Sequence, residues 1–361
     1  IAAMSSLSTS SGAVMAGADH VNHKNVLVMS TNDLFEPWLF EKMIAAAKKE
    51  KVDGVIAGSK VETYFPGGYL EFDKKGFISK VIEKPTPGKE PSKYVNLVCH
   101  IYNDFATFLK HLKKAKGKKD GLYEAALNDY IKKDKAKIAV YKYHGAWQPI
   151  KFPWHVLRVM EQFLKIQEPR IDRTALVSKN AVINGNVFIG PKVRVFDNAV
   201  IQGPAYIGEG STVATNAMVR QSMIGTNCVI GFGTEVTRSY LNNDVWSHTN
   251  YIGDSIVDSN VSFGAGTVTG NLRFDEANIR VQIKGEKIDT GTPKFGAVIG
   301  SGVRFGINSS INPGRKVGCN SFIGGNVLVD EDVAANKMVF LKQQLKITSN
   351  VAKANNEQRK K

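Results

Sequence analysis

Long hydrophobic runs are missing from this sequence: no apolar stretch approaches the roughly 20 residues that span a bilayer, which argues against a helical membrane protein. Nor is there a basic-then-apolar leader with a small-residue cleavage site, so secretion is not expected. Cysteine is scarce. Cys99, Cys228 and Cys319 lie far apart and lack the paired spacing of a metal site, which predicts small core-filling thiols in a reducing cytoplasm. Negative charge is also short, with 33 acidic residues against 48 lysines and arginines and a formal net charge of +15. That excess suits nucleic acid, but the basic runs at 110–118, 132–137 and 359–361 are not interleaved with aromatics as a base-stacking surface is. Nucleic acid is set aside, and an anionic sugar phosphate or nucleotide is the expected ligand class.

What is present divides into two halves with different periods, expected as an α/β domain over 1–168, a second domain over 169–345 and a basic tail over 346–361. The chain begins with Ile1, and the stretch to Ser11 is small, polar and patternless, which reads as a fragment or a processed product. Val26-Leu27-Val28-Met29 reads as a buried strand ending in Thr31-Asn32-Asp33, polar residues at the strand's carboxyl end, where open α/β sheets collect ligands. Pro37 opens a helix to about residue 49. A strand over 52–59 and a hairpin of 69–73 with 77–83 follow, leading into the loop Glu83-Lys84-Pro85. Helices are expected over 104–116 and 122–133, a strand over 138–143, and a last helix over 153–167 that closes the domain.

From Val177 the pattern changes. Val177, Ile183, Ile189, Val195, Ile201, Ile207, Val213 and Val219 recur every sixth residue, and Ile224, Ile230 and Val236 resume after a slip of one. After an interruption at 270–294, Ile299, Phe305, Ile311, Val317, Ile323 and Val329 repeat it. Hexads of this kind predict a parallel β-helix in which three hexads close one triangular coil and the aliphatics stack inward. Each coil buries its face only on its neighbours, so capping is needed, and a helix over about 333–345 is the expected cap. The interruption is a long excursion from a regular coil, the kind of place where binding chemistry concentrates.

Within the coil, His248-x-x-Tyr251-x-Gly253-Asp254 is followed by Gly264-Ala265-Gly266-Thr267-x-Thr269-x-Asn271, and the excursion opens Asn271-Leu272-Arg273-Phe274-Asp275. These residues resemble the acetyltransferase half of the bifunctional sugar-1-phosphate nucleotidylyltransferase/acetyltransferases, of the archaeal type. The resemblance implies a left-handed β-helix after an incomplete, Rossmann-like nucleotidylyltransferase domain. It implies His248 as catalytic base, Tyr251 and Asn271 as contacts to an amino sugar phosphate, Lys284 and Arg238 as further phosphate ligands, and Ala265 on the acetyl-CoA side. It also implies a homotrimer with sites between neighbouring coils.

In the first half, Glu83-Lys84-Pro85 resembles the family's sugar-phosphate loop, and Ser11-Gly12-Ala13-Val14-Met15-Ala16 resembles a base-binding segment. Complete relatives are expected to use Mg²⁺ with UTP or dTTP. Two positions depart from the pattern. The metal-binding Gly-Asp of the family reads Thr31-Asn32 here, with Asp33 one place on as the candidate metal ligand, and the second metal aspartate falls near Gln148-Pro149. A hard cation requires oxygen ligands, commonly carboxylates.

Acetyl transfer to an amine calls for a base to take its proton and donors to steady the tetrahedral intermediate. Histidine suits the first task, with an ordinary pKa of about 6.5. Two other readings remain open: a nucleotidylyltransferase whose coil only trimerises, and a non-catalytic scaffold or sensor.

Overall fold

The computed structural model describes residues 10–49, 51–116 and 121–350, so the N-terminal stretch before Ser10 and most of the basic tail lie outside the described residues. The chain separates into two compact units, Ile1–Lys151 and Phe152–Lys361. Among the described residues no helix is long and apolar enough to cross a membrane.

The first unit is a three-layer α/β assembly. Its elements are α1 (Ser10–Ala18), β1 (Val26–Met29), β2 (Asp33–Phe35), α2 (Trp38–Lys49), β3 (Gly54–Lys60), β4 (Gly68–Phe72), β5 (Ile78–Glu83), β6 (Tyr94–Tyr102), α3 (Phe105–Lys114), α4 (Leu122–Lys133), β7 (Ile138–Tyr143) and β8 (Trp147–Pro149). The main sheet runs β5-β4-β6-β3-β7, with β1 also paired to β6, while β2 and β8 form a separate antiparallel ribbon. Phe105, Phe108 and Leu112 of α3 pack with Tyr123, Leu127 and Tyr130 of α4 against Ile56, Leu70 and Val81. Leu39 and Met43 of α2 join a second cluster with Val55, Leu97 and Cys99. The segment 11–16 lies within α1, the hairpin forms as β4 and β5, and the helices form where the apolar spacing places them.

β6 is absent from the sequence expectation and is the strand that joins β1, β3 and β4. Its alternation is masked by polar residues whose bonding is internal. His100 is fully buried; its Nδ1 lies 2.9 Å from the Tyr123 hydroxyl and its Nε2 2.8 Å from the Asn96 oxygen.

The second unit opens with a helix, α5 (Trp154–Ile166), followed by a left-handed parallel β-helix. The division between units precedes α5, whereas the sequence expectation placed that helix with the first domain. Its three faces are ladders of short parallel strands. One runs through Ile189, Ile207, Ile224, Leu241, Val257, Ile299 and Val317. A second runs through Ile183, Ile201, Val219, Val236 and Ile252, passes through the Tyr251–Val268 pairing to Thr269, and continues through Ile311 and Val329. The third is two four-stranded ladders linked by Trp246, which bridges Val229 and Ser262.

All the six-spaced aliphatics from Ile189 to Val329 point into one core. At about 25 cal/mol per Å² of apolar surface, that continuous stack is the main stabilising term of the solenoid. Coil length shortens toward the middle: a bond closes from Lys192 back 18 residues to Thr174, but from Asn250 back only 16 to Thr234.

The expected capping helix is not there. Val333 bridges Val317, and Met338-Val339 pair with Phe322-Ile323 as one more rung, after which residues 340–350 carry no regular structure. Val333 and Val339 keep the six-residue spacing, and Asn336 takes a left-handed φ of 59° at the corner, so this segment continues the coil instead of adopting a 3.6-residue period.

Candidate active site

Corners of the coil set the chemistry. Between the strand position of Trp246 and the strand Tyr251–Gly253, the chain turns through Ser247-His248-Thr249-Asn250. Thr249 takes a left-handed φ of 49°, a conformation costly for a β-branched residue. Three bonds hold it: the His248 N–H to the Asn250 Oδ1, and Asn250 Nδ2 to the carbonyls of Gly264 and Thr267 at 2.8 and 3.0 Å. Asn250 is buried and His248 is exposed, so the turn is pinned from inside while the imidazole projects outward.

The same corner recurs one coil on. Gly266 donates its N–H to the Thr249 carbonyl, and Asn308 donates to the Ala265 carbonyl. The left-handed positions Gly233, Thr249, Gly266, Asn308 and Asn326 recur at this corner, and the carbonyls of Phe232, Ala265 and Ile307 accept bonds from Thr249, Asn308 and Asn326 on the next coil. The structure therefore stacks the Ala265 corner on the His248 corner through the bond from Gly266 to Thr249. Glycine is needed at Gly231, where a Cβ would collide with the Ser247 carbonyl oxygen.

At the far end of the strand Tyr251–Gly253 is a second group. Asn271 Nδ2 donates to the Tyr251 hydroxyl at 3.0 Å and to Asp254 Oδ2 at 2.5 Å. Arg238, one coil away, grips the same carboxylate, with Nε to Oδ1 at 2.6 Å and Nη2 to Oδ2 at 2.8 Å. The hydrogen bonds to Asp254 push the Arg238 guanidinium further above its ordinary value. Asp254 was part of the motif but not among the sequence-predicted site residues; the signal was the Gly-Asp pair at the corner following the strand. The structure thus joins Tyr251, Asn271 and Arg238 through Asp254.

Lys284 is set apart from this group. With Gly285 it makes the turn of a hairpin, Arg280–Ile283 against Glu286–Asp289, and both residues have left-handed φ, 48° and 91°. Val281, Ile283 and Ile288 pack the hairpin toward Trp154, Ile256 and Phe295, leaving Lys284 exposed. No described bond links it to Tyr251, Asn271 or Arg238.

A cavity of about 450 Å³ lies between α5 and the coil, with Arg238 and Asp254 in its wall beside Arg158, Lys294, Trp154 and Phe295. Arg158 anchors the excursion by donating to the Thr290 carbonyl at 3.0 Å. Where the excursion begins, Arg273 pairs with Asp275 and holds its carboxyl down at about 2. Phe274 between them is fully exposed.

In the first unit, Glu83 ends β5 and Lys84 follows at a left-handed φ of 43°, their side chains 3.7 Å apart. A Cβ on Gly68 would meet Val81 Cγ1 at 3.0 Å, Glu83 Oε2 at 3.2 Å and Asn96 Cβ at 3.5 Å, so Glu83 and Asn96 converge on Gly68 beside Val81. Gly68 and Asn96 were not predicted from sequence; only strand pairing brings them beside Glu83.

Asp33 begins β2 directly opposite Pro149 of β8. Its Oδ1 accepts the Trp147 indole N–H at 2.9 Å, and burial pushes its carboxyl up despite that bond and the nearby Lys151. Magnesium requires a near-octahedral set of oxygens. Here one carboxylate already serves an indole, faces a proline and has an ammonium nearby. Among the described residues no group of three or more His, Cys, Asp or Glu gathers to hold a metal. These residues do not fit Mg²⁺.

Comparison with known proteins matches these two units. The nucleotidyl transferase family profile matches residues 4–150 and the GMPPB C-terminal domain profile residues 166–272. The chain is 34% identical over 325 residues to the bifunctional protein GlmU of Methanococcus vannielii, covering 88% of this chain and 76% of that protein. It is 33% identical over 337 residues to the bifunctional protein GlmU of Methanocaldococcus jannaschii, covering 92% and 78%. It is also 34% identical over 284 residues to the bifunctional sugar-1-phosphate nucleotidylyltransferase/acetyltransferase of Sulfurisphaera tokodaii, covering 78% and 69%.

Proposed function

The chain belongs to this family of bifunctional transferases, and on that premise we propose that its second unit transfers acetyl from acetyl-CoA to the amine of an amino sugar 1-phosphate. The observation that carries the reading is the succession of the His248 and Ala265 corners, joined by the bond from Gly266 to Thr249 and adjoining the strand whose Tyr251 is bonded to Asn271.

In the proposed reaction the amine nitrogen attacks the thioester carbonyl as His248 takes its proton. The N–C bond forms, the C–S bond breaks, and the proton passes from the imidazole to the departing sulfur, releasing free CoA thiol. Holding that base within reach of a positioned amine is worth about 10²–10⁴-fold in rate. Asn271 spends its amide hydrogens on Tyr251 and Asp254, so its carbonyl oxygen is the part offered to the sugar. The Tyr251 hydroxyl accepts from Asn271 and keeps its own hydrogen for a hydroxyl or phosphate oxygen. Arg238 acts through Asp254, and Lys284 contacts the phosphate only from a neighbouring chain.

The proposal includes a homotrimer in the cytoplasm. Supporting it, exposed apolar side chains flank the His248 corner on both faces: Trp246 and Phe322 on one, Val268 and Leu328 on the other, with Phe232 and Ile307 at the edge. Contiguous apolar surface of this kind marks an interface. Nucleotidyl transfer is left out, because the surroundings of Asp33 do not fit its metal.

The test is thiol release from acetyl-CoA with glucosamine 1-phosphate and with galactosamine 1-phosphate. Turnover that collapses in His248→Ala supports the assignment; a folded protein with no turnover on either amine overturns it.

A further inference from the structure

The mismatch at Asp33 has a counterpart close by in the same unit. Lys151 stands two residues beyond Pro149, and its Nζ sits 4.4 Å over the Phe65 ring and 3.5 Å from the Pro66 carbonyl oxygen. Phe65 in turn packs edge-on to Trp147 at 5.0 Å, the indole that bonds Asp33. Lys84 is tied to the adjacent carbonyl of the same turn, its backbone N–H donating to Gly67 at 3.0 Å. The Lys151 ammonium and the Lys84 backbone are therefore held on consecutive carbonyls of the Pro66–Gly67 turn, and the Lys84 ammonium lies 3.7 Å from Glu83 Oε1. Asp33, Glu83 and Lys84 all act electrostatically on Lys151.

We propose that Lys151 takes the place of a divalent cation, so that the first unit binds a sugar phosphate monoester without metal. Two carboxylates balance a doubly charged metal ion; here a proline replaces one carboxylate and a single ammonium faces the other, so the local charge stays balanced. A phosphate monoester then bridges Lys84 and Lys151, each a compact point charge with three donors. The Glu83 carboxylate and the Asn96 amide meet the sugar hydroxyls. Arginine at position 151 retains the charge, whereas methionine keeps the stem that packs on Phe65 and removes it.

The test is calorimetric titration of the whole chain with glucose 1-phosphate, which lacks the amine taken by the coil, and with inorganic phosphate, both in EDTA. Saturable binding of glucose 1-phosphate is expected, unchanged on adding Mg²⁺. Lys151→Met is expected to weaken it about tenfold, Lys151→Arg to retain most of it, and inorganic phosphate to bind more weakly. Binding that appears only with Mg²⁺, no binding at all, equal affinity in Lys151→Met, or loss of binding in Lys151→Arg as great as in Lys151→Met overturns the proposal. So does inorganic phosphate binding as tightly as the sugar phosphate. Acetyl transfer by Lys151→Met is read alongside and stays at the wild-type rate, so failure of this site is distinguishable from failure of the coil assignment.

Discussion

Arg238 and Asp254 hold each other by two bonds across one step of the coil, at 2.6 and 2.8 Å, and both residues take left-handed backbone conformations, at φ of 46° and 48°. The pair sits at the corner that turns the strand Tyr251–Gly253 out of one face. Because Asp254 also accepts from Asn271, the geometry of the proposed sugar contacts depends on a guanidinium that does not itself bond Tyr251 or Asn271.

Replacing Asp254 with alanine strands that guanidinium and frees Asn271. With the Asp254 side chain only 8% exposed, the expected loss is about 3 kcal/mol of stability. The kinetic signature is a raised KM for the amino sugar phosphate with the KM for acetyl-CoA unmoved. A KM for acetyl-CoA that rises in step, measured on protein still folded by circular dichroism, counts against the positioning role.

His248→Ala is expected to lower kcat by about 10²–10³-fold with no change in melting temperature. The side chain is exposed, and the bond that fixes the turn comes from its backbone N–H, which alanine keeps. Rapid-quench acetyl transfer and a thermal melt, run on the same preparation, check both halves.

Acid should weaken the first unit through His100. Burial pushes this imidazole from 6.5 down to about 3, so between those values the unfolded chain binds a proton that the native state refuses. Its stabilising contribution is complete above pH 6.5 and is lost as pH falls toward 3, at about 1.4 kcal/mol per pH unit. Hydrogen exchange of β6 amides across that window checks the slope. His100→Gln should flatten it from a lower starting stability, since the bonds to Tyr123 and Asn96 are disturbed.

The exposed apolar faces predict association. Light scattering should give three times the chain mass, and Phe322→Glu with Trp246→Glu should shift it toward one. Both side chains are exposed, 47% and 55%, so the double variant is expected to keep its fold. An unchanged mass would move the interface elsewhere.

The solenoid was readable because its code is local: one inward aliphatic every six residues, each stacked on a residue one coil away. His248, Ala265 and Tyr251 were named from the family resemblance, and only their places on the coil follow from residue number. β6 was not legible, because Asn96 and His100 look like solvent-facing residues until the partner Tyr123, from a helix beyond the strand, is in place. The absent cap has a similar origin: Val333-Ala334-Ala335 favours helix by composition, while the six-residue spacing of Val333 and Val339 favours the coil, and ladder pairing prevails. Contact between Lys151 and the Pro66 turn depends on two segments meeting in space, and no spacing rule announces it.

Thr269 stacks directly on Ile311 although a whole excursion lies between them in sequence. The coil is thus continuous where the polypeptide detours, and the hairpin bearing Lys284 is a side branch. Trypsin cutting after Lys284 or Lys287 should therefore leave two fragments that stay together through the ladders on either side. Expressed from two genes divided at that point, the halves should reassemble, making the hairpin a natural place to split the protein.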